Sequence, residues 1–337
     1  MKALITDGQG RVEVRETPMP ELGDYDSLVR IEGCLFCNST DRHLVGGTFP
    51  WGAQYPAILG HETAGIVEKT GPKVRRFHAG DRVLRAYAVW PGEKLGPFAS
   101  AWGGFAQYGK VRDGQAMLED GVVKPEAVPG YCRYQQIAPP GISLDQALMM
   151  IPAKELWSAV AKIADVTDQR FLVVGAGVAG VLAGRFLKLR GAARVAITAR
   201  RKGPLTFALS QNAADEVFLS EDIERRTESY DALVEVSGSM DAAMSALRLV
   251  PPGGRVYSYA VYDRGADPAI FDPIKARHVF ARIDPAEHTA HDDVTRLMRE
   301  GKLLLDPFVT KRFPLDRAAE AWQTVLDKTT LKTAIIF

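Results

Sequence analysis

The sequence predicts a two-domain α/β protein in which a β-rich domain precedes a doubly wound parallel sheet flanked by helices. Three observations carry that reading. The chain has 337 residues, beyond the roughly 100–200 of an ordinary domain and enough for two separate cores. Up to about Pro140 it runs in short strand-like segments broken by Gly and Pro. From Ser143 onward, apolar stretches of strand length alternate with helical ones, the pattern of right-handed βαβ units around a parallel sheet.

In order, the first domain offers SLVRIEG, AGIVEKTG, GDRVLRAYAV and GGFAQYGKV as strands. DQALMMIPAKELWSAVAKIAD then places apolar residues at three- and four-residue steps, as a helix requires, and the domain boundary is expected near Met150. A strand FLVVGAG, a helix VAGVLAGRFLKLRG, a strand ARVAITA, a helix around PLTFALSQNA and the strands YDALVEVSG and GGRVYSYAV follow. From about Asp292 the tail resumes mixed helix and strand after that sheet is complete, so it is expected to return to the first domain. The organisation expected is 1–150 together with 292–337, and 151–291.

Lysine and arginine number 42 against 41 aspartate and glutamate, so no global field draws nucleic acid or an anionic membrane. Hydrophobic residues at 46% and charged residues at 25% suit a folded protein rather than a disordered scaffold. No stretch has the apolar length of a signal peptide or of a membrane helix. A cytoplasmic protein acting on a small molecule is expected. The three cysteines, Cys34, Cys37 and Cys132, are an odd set in a reducing compartment, so thiolate chemistry is expected rather than a disulfide framework.

Gly175, Gly177 and Gly180 form G-x-G-x-x-G directly after the apolar run Phe171 to Val174 and, with Val178, open an apolar helix. In that context the glycines serve a tight turn, a close approach of backbone to a pyrophosphate, and close helix–strand packing. The helix N-terminus adds free N–H donors. The next strand ends in Ala199-Arg200-Arg201-Lys202. No carboxylate stands where an NAD-binding chain accepts from the ribose 2′-hydroxyl, and guanidinium groups can grip a 2′-phosphate in bidentate fashion. NADP(H) is therefore expected over NAD(H), through Ala199, Arg200 and Arg201. A solvated basic loop is the competing reading.

Cys37 is followed by Asn38-Ser39-Thr40-Asp41-Arg42-His43, and Gly60-His61-Glu62 lies on a separate loop. A thiolate, an imidazole and a carboxylate can enclose one face of a zinc ion and leave a position open for a substrate oxygen, where the metal polarises a carbonyl or acidifies an alcohol. Taken singly, Cys37 also reads as a buried thiol and His61 as a satisfied core histidine.

Cys37 with Thr40-Asp41-x-His43, Leu59-Gly60-His61-Glu62 with Gly65, Gly80-Asp81-Arg82-Val83, Gly103-Gly104-Phe105-Ala106-Gln107-Tyr108, the glycines at 175–180 and Pro252-Gly253-Gly254-Arg255-Val256 occur in a specific order and spacing. Nearly end to end, the chain resembles the zinc-type medium-chain dehydrogenases/reductases, the alcohol, polyol and sugar dehydrogenases. The resemblance implies a GroES-like catalytic domain joined to a Rossmann domain, assembled as a homodimer or homotetramer. It implies hydride transfer between NADP(H) and a secondary alcohol or ketone, with polyols, sugars and aminocyclitols as candidate substrates. Cys37 and His61 would hold one catalytic zinc, and Glu62 would be a ligand or a close carboxylate exchanging with substrate or water. Thr40 and His43 would relay the substrate proton to solvent, with Ser39 a competitor for Thr40.

The chain also departs from the family pattern. A further zinc ligand is usual at the start of the interdomain helix, where Ile151 stands before Pro152. Three outcomes stay open: Glu155, one turn on, replaces it; Cys37, His61 and Glu62 hold zinc together with water; or zinc is weak or lost. Lys154-Glu155 also reads as a solvated helix pair. No cysteine lies between Arg85 and Tyr108, where the family often carries four, so no structural zinc is expected. Trp51, Tyr55, Trp90, Trp102 and Tyr131 sit in loops, where they could face a substrate ring or simply anchor the chain. Two other functions remain: a zinc-free NADPH reductase of quinones or enones from the same superfamily, and a nucleotide-binding protein without turnover.

Overall fold

The strand Asp26–Leu35 organises the N-terminal part of the chain. Val29, Ile31 and Leu35 are buried and alternate with more exposed neighbours over much of its length, as a strand with one face on a core requires. In the computed structural model, which describes residues 1–262 and 268–337, this strand serves three partners. One edge pairs antiparallel with Glu62–Thr70. The other is shared, its first half by Tyr108–Arg112 and its second half by Lys332–Ile336. Val309–Pro314 and Arg82–Leu84 complete the sheet. A second sheet runs Val12–Glu16, Lys2–Thr6, Ala57–Ile58, Phe98–Ser100, Lys94–Leu95. Leu4, Phe36, Leu59, Phe105, Trp322 and Ile335 share one apolar core.

The expected strand GDRVLRAYAV is cut short. It leaves the sheet after Leu84, where Arg85 takes φ +63°, a left-handed conformation uncommon for a residue with a Cβ. GGFAQYGKV likewise becomes strand only at Tyr108.

The later sheet has six parallel strands in the order Glu216–Leu219, Arg194–Ala199, Arg170–Val174, Ala232–Glu235, Arg255–Ser258, Val279–Arg282. Numbered along the chain this is 3-2-1-4-5-6, the doubly wound order, with its switch point between Arg170–Val174 and Ala232–Glu235. Phe171, Leu172, Val173, Ala232, Leu233 and Val234 are fully buried, as strands covered on both faces must be. Sequence pattern did not reveal the two outermost strands. Each has four residues, with an apolar run of only three that is mostly part-exposed, Val279 pointing outward, so neither stands out from the surrounding chain.

The chain divides into two compact units, Met1–Ile151 with Leu305–Phe337, and Pro152–Leu304. The division falls inside the helix Leu144–Ala161. The returning segment starts at Leu305 rather than 292, because the helix His291–Arg299 buries Val294 and Leu297 and Asp293 accepts from the Trp157 indole at 2.9 Å, all within the second unit. Lys154 is not solvated; it is fully buried, with its ammonium 3.0 Å from the buried Glu287 carboxylate. No described helix is long and apolar enough to cross a membrane.

Candidate functional site

Strand register assembles the first site. Leu35 faces Glu62 across one ladder and Ala334 across the other. Cys37, just past the end of its strand, His61 and Glu62 at the entry to theirs, and Lys332 at the start of the C-terminal strand therefore meet at one end of the sheet. Ligand atoms of Cys37, His61 and Glu62 lie within 4.8 Å of one another. Gly60 makes the approach possible: it takes φ +106°, and a Cβ there would stand 2.6 Å from the Phe105 backbone nitrogen.

Behind the cluster sits Asp41, fully buried, whose Oδ2 accepts from the Cys37 N–H at 2.8 Å while Oδ1 lies 3.6 Å from His61 Nδ1. The Arg85 guanidinium donates to the His61 carbonyl at 3.1 Å. Burial pushes the Asp41 carboxyl up to about 6, against the opposing pull of His61. His61 Nδ1 and Asp41 Oδ1 are buried and lack a hydrogen-bond partner of ideal geometry, and they face each other. With Nδ1 turned to a carboxylate, Nε2 is the nitrogen left for a metal, the usual arrangement of a carboxylate behind a ligating imidazole. Of the three cysteines only Cys37 is half-exposed. Burial holds the Cys34 thiol well above its ordinary value and pushes Cys132 up to about 11. The donor set fits zinc in a three-ligand site of the catalytic kind.

Lys332 went unread in the sequence. It is buried, and its ammonium donates to both Glu62 oxygens at 2.6 and 2.5 Å and to the Phe36 carbonyl at 3.1 Å. Burial alone would pull its pKa down, but Glu62 and then Cys37 outweigh that, and it stands above the ordinary lysine value. Glu62 is thus held by a cation on one side while facing His61 Nε2 at 3.9 Å on the other. A lone lysine opening the apolar run KTAIIF was the available signal.

Thr40 and His43 are three residues apart on the short helix Thr40–Val45, and His43 Nδ1 lies 3.0 Å from the Thr48 hydroxyl, a partner also missed. Ser39 occupies the cap position of that helix without a side-chain capping bond. Ile151 is fully buried and offers no donor. Glu155 belongs to the second unit, where the Tyr259 hydroxyl donates to it at 3.4 Å. The loop aromatics divide by role. Trp90 stacks on Tyr131 at 4.6 Å with Arg112 over its face, and Tyr55 donates to the Leu44 carbonyl; these are anchors. Trp102 is different: at φ +67°, its ring centroid lies 5.0 Å from that of His61, with Phe49 edge-on at 6.0 Å and Trp51 beyond it.

In the second unit the glycines stand at the carboxyl end of Arg170–Val174. Gly175 takes φ +113°, and a Cβ on Gly180 would meet the Gly175 carbonyl at 1.8 Å, so helix and strand pack at glycine distance. A Cβ on Gly177 would meet nothing within 4 Å, so the backbone there is open to a close approach. The helix Val178–Leu189 follows, and its first internal bond runs from the Val181 N–H to the Gly177 carbonyl, leaving its N-terminus suited to a phosphate. Ala199 ends its strand. Arg200 and Arg201 are exposed, and Arg201 leads into the helix Lys202–Ser210, whose first turn holds no acidic residue. These residues fit a nicotinamide dinucleotide.

A β-rich domain with a Cys-His-Glu cluster, joined to a doubly wound domain with a dinucleotide turn, defines the class of two-domain nucleotide-dependent dehydrogenases. The model of the alcohol dehydrogenase GroES-like domain matches residues 23–120, and that of the zinc-binding dehydrogenase domain matches 212–331. The "Probable zinc-binding alcohol dehydrogenase" of Mycobacterium tuberculosis is 30% identical over 96% of this chain and 85% of its own length. D-arabinitol dehydrogenase 1 of Uromyces fabae is 25% identical over 99% and 97%. A structure from Sinorhizobium meliloti described as a "putative zinc-binding dehydrogenase" and bound to NADP superposes with a TM-score of 0.75 at 22% identity over 100% and 99% of the two chains. The chain belongs to the zinc-type alcohol and polyol dehydrogenases of the medium-chain dehydrogenase/reductase family, and is an oxidoreductase acting on CH–OH groups.

Proposed function

We propose that this protein is a zinc-dependent dehydrogenase or ketoreductase that moves a hydride between NADP(H) and a secondary alcohol or ketone. One observation carries the proposal: Cys37, His61 and Glu62 converge within 4.8 Å, with Asp41 behind His61. Zinc bound there supplies Lewis-acid polarisation of the reacting carbon–oxygen bond, and the dinucleotide supplies or accepts the hydride. Cys37 and His61 are the ligands. Asp41 orients the imidazole, and Lys332 balances the Glu62 charge so that this carboxylate can serve as third ligand or withdraw. Thr40 receives the substrate proton, and His43 passes it outward at Nδ1 toward Thr48.

Gly175, Gly177 and Val178 cradle the pyrophosphate while Gly180 lets the helix close onto the strand behind it, and Arg200 and Arg201 take the 2′-phosphate, with Ala199 leaving room for it. The aromatic wall of Trp102, Phe49 and Trp51 beside His61 supports a substrate with a carbon-rich face, such as a sugar or cyclitol ring. The cytoplasm, where thiols stay reduced, and a homodimeric or homotetrameric assembly belong to the same proposal. Ile151 favours a second reading, a zinc-free reductase of quinones or enones, and metal removal separates the two. Carbonyl reduction is expected to run at least tenfold better with NADPH than with NADH, to stop on chelation, and to return with added zinc. Undiminished turnover after chelation selects the second reading.

A further inference from the structure

Doubly wound sheets bind ligands in the crevice outside the carboxyl ends of the two strands at the switch point. Here those strands are Arg170–Val174 and Ala232–Glu235, parallel neighbours. One lip of the crevice is the glycine turn; the other is the chain after Glu235. Glu235 is only 1% exposed, yet both its oxygens are committed. Oε1 accepts from the Ser237 N–H at 2.6 Å, the Ser237 hydroxyl at 2.6 Å and the Gly238 N–H at 2.9 Å, and Oε2 accepts from the Tyr262 hydroxyl at 2.5 Å. The Ser237 hydroxyl in turn accepts from the Ser239 N–H at 3.1 Å. Ser239 caps the helix Met240–Ala246 by accepting from the Ala242 N–H at 3.3 Å. The loop held this way lies against the glycine turn: a Cβ on Gly175 would stand 3.1 Å from the Ser237 Cβ, and one on Gly180 would stand 3.4 Å from a Val236 methyl.

We infer that Glu235 is a positioning residue of the dinucleotide crevice, fixing the lip 236–238 against the glycine turn so that both walls stand ready before the nucleotide arrives. The inference rests on reading the second unit as the NADP(H)-binding one. Two backbone N–H groups and two hydroxyls bound to one buried carboxylate are charge-assisted contacts, stronger than neutral ones. They leave the loop little ordering entropy to lose on binding, which is how preorganisation raises affinity. In Glu235→Gln, Oε1 still receives the three loop donors and Nε2 faces the Tyr262 oxygen, so most of the effect survives; in Glu235→Ala all four anchors go.

NADPH affinity, followed by its fluorescence on the full chain, tests this. Glu235→Ala is expected to raise Kd at least tenfold and Glu235→Gln no more than about threefold, while zinc content stays at the parental value. Where Glu235→Ala fails to fold, Ser237→Ala, which removes one donor and the Ser239 link, is expected to raise Kd about threefold. Parental affinity in whichever of these two variants folds overturns the inference alone. A parent chain that binds neither NADPH nor NADH overturns the reading beneath it as well.

Discussion

The Cys-His-Glu cluster of the first unit and the glycine turn of the second are built on opposite principles. The turn is made of backbone from a single stretch, residues 175–180, and its chemistry lies in missing side chains: no Cβ at Gly180 where one would meet a carbonyl at 1.8 Å, none at Gly177 where the space is open. The cluster is made of side chains from three separate places, Cys37, His61 with Glu62, and Lys332, brought together because Asp26–Leu35 shares its edges with two distant strands. A site written in one stretch is readable in order along the chain. A site written in sheet register is readable only in part.

Glycine substitutions break the comparison most severely. Gly180→Ala forces helix and strand apart and is expected to cost about 3 kcal/mol or more, with loss of nucleotide binding. Gly177→Ala, at φ −73°, is expected to keep stability within about 0.5 kcal/mol while weakening NADPH about tenfold or more. Chemical denaturation beside nucleotide titration checks both. Equal effects from the two would mean that Gly177 serves packing and not a ligand.

The counterpart in the first unit is Lys332→Met, which leaves the Glu62 carboxylate buried without its cation. In zinc-free protein it is expected to cost roughly 3 kcal/mol, and the double variant Glu62→Gln with Lys332→Met is expected to recover most of that. A loss below about 0.5 kcal/mol would show that Lys332 does not balance Glu62.

Legibility followed the same division. Fold class and the central strands of both units were visible because their apolar periodicity is local. The outermost strands 216–219 and 279–282 were not, being four residues long and partly exposed. Of the site, Cys37, His61 and Glu62 stood out as a metal-capable set, and the glycines by their place after a strand. Lys332 and Thr48 were missed because their partners are chosen by strand pairing and loop closure. The burial of Lys154, against the solvated pair that was one of its readings, could not be seen because the carboxylate that makes it tolerable, Glu287, lies far along the chain. For Trp102 the sequence left a substrate-facing and an anchoring role both open, and only its φ of +67° and its position beside His61 set it apart from the anchors.

Elemental analysis of the purified parent and of Cys37→Ser, with NADPH binding measured on the same samples, tests the central claim most directly. The structure predicts about one zinc per parent chain, lost in Cys37→Ser together with carbonyl reduction, while NADPH affinity stays unchanged because the glycine turn lies in the other unit. A parent that is active without metal, or a Cys37→Ser chain that keeps its zinc, would contradict it.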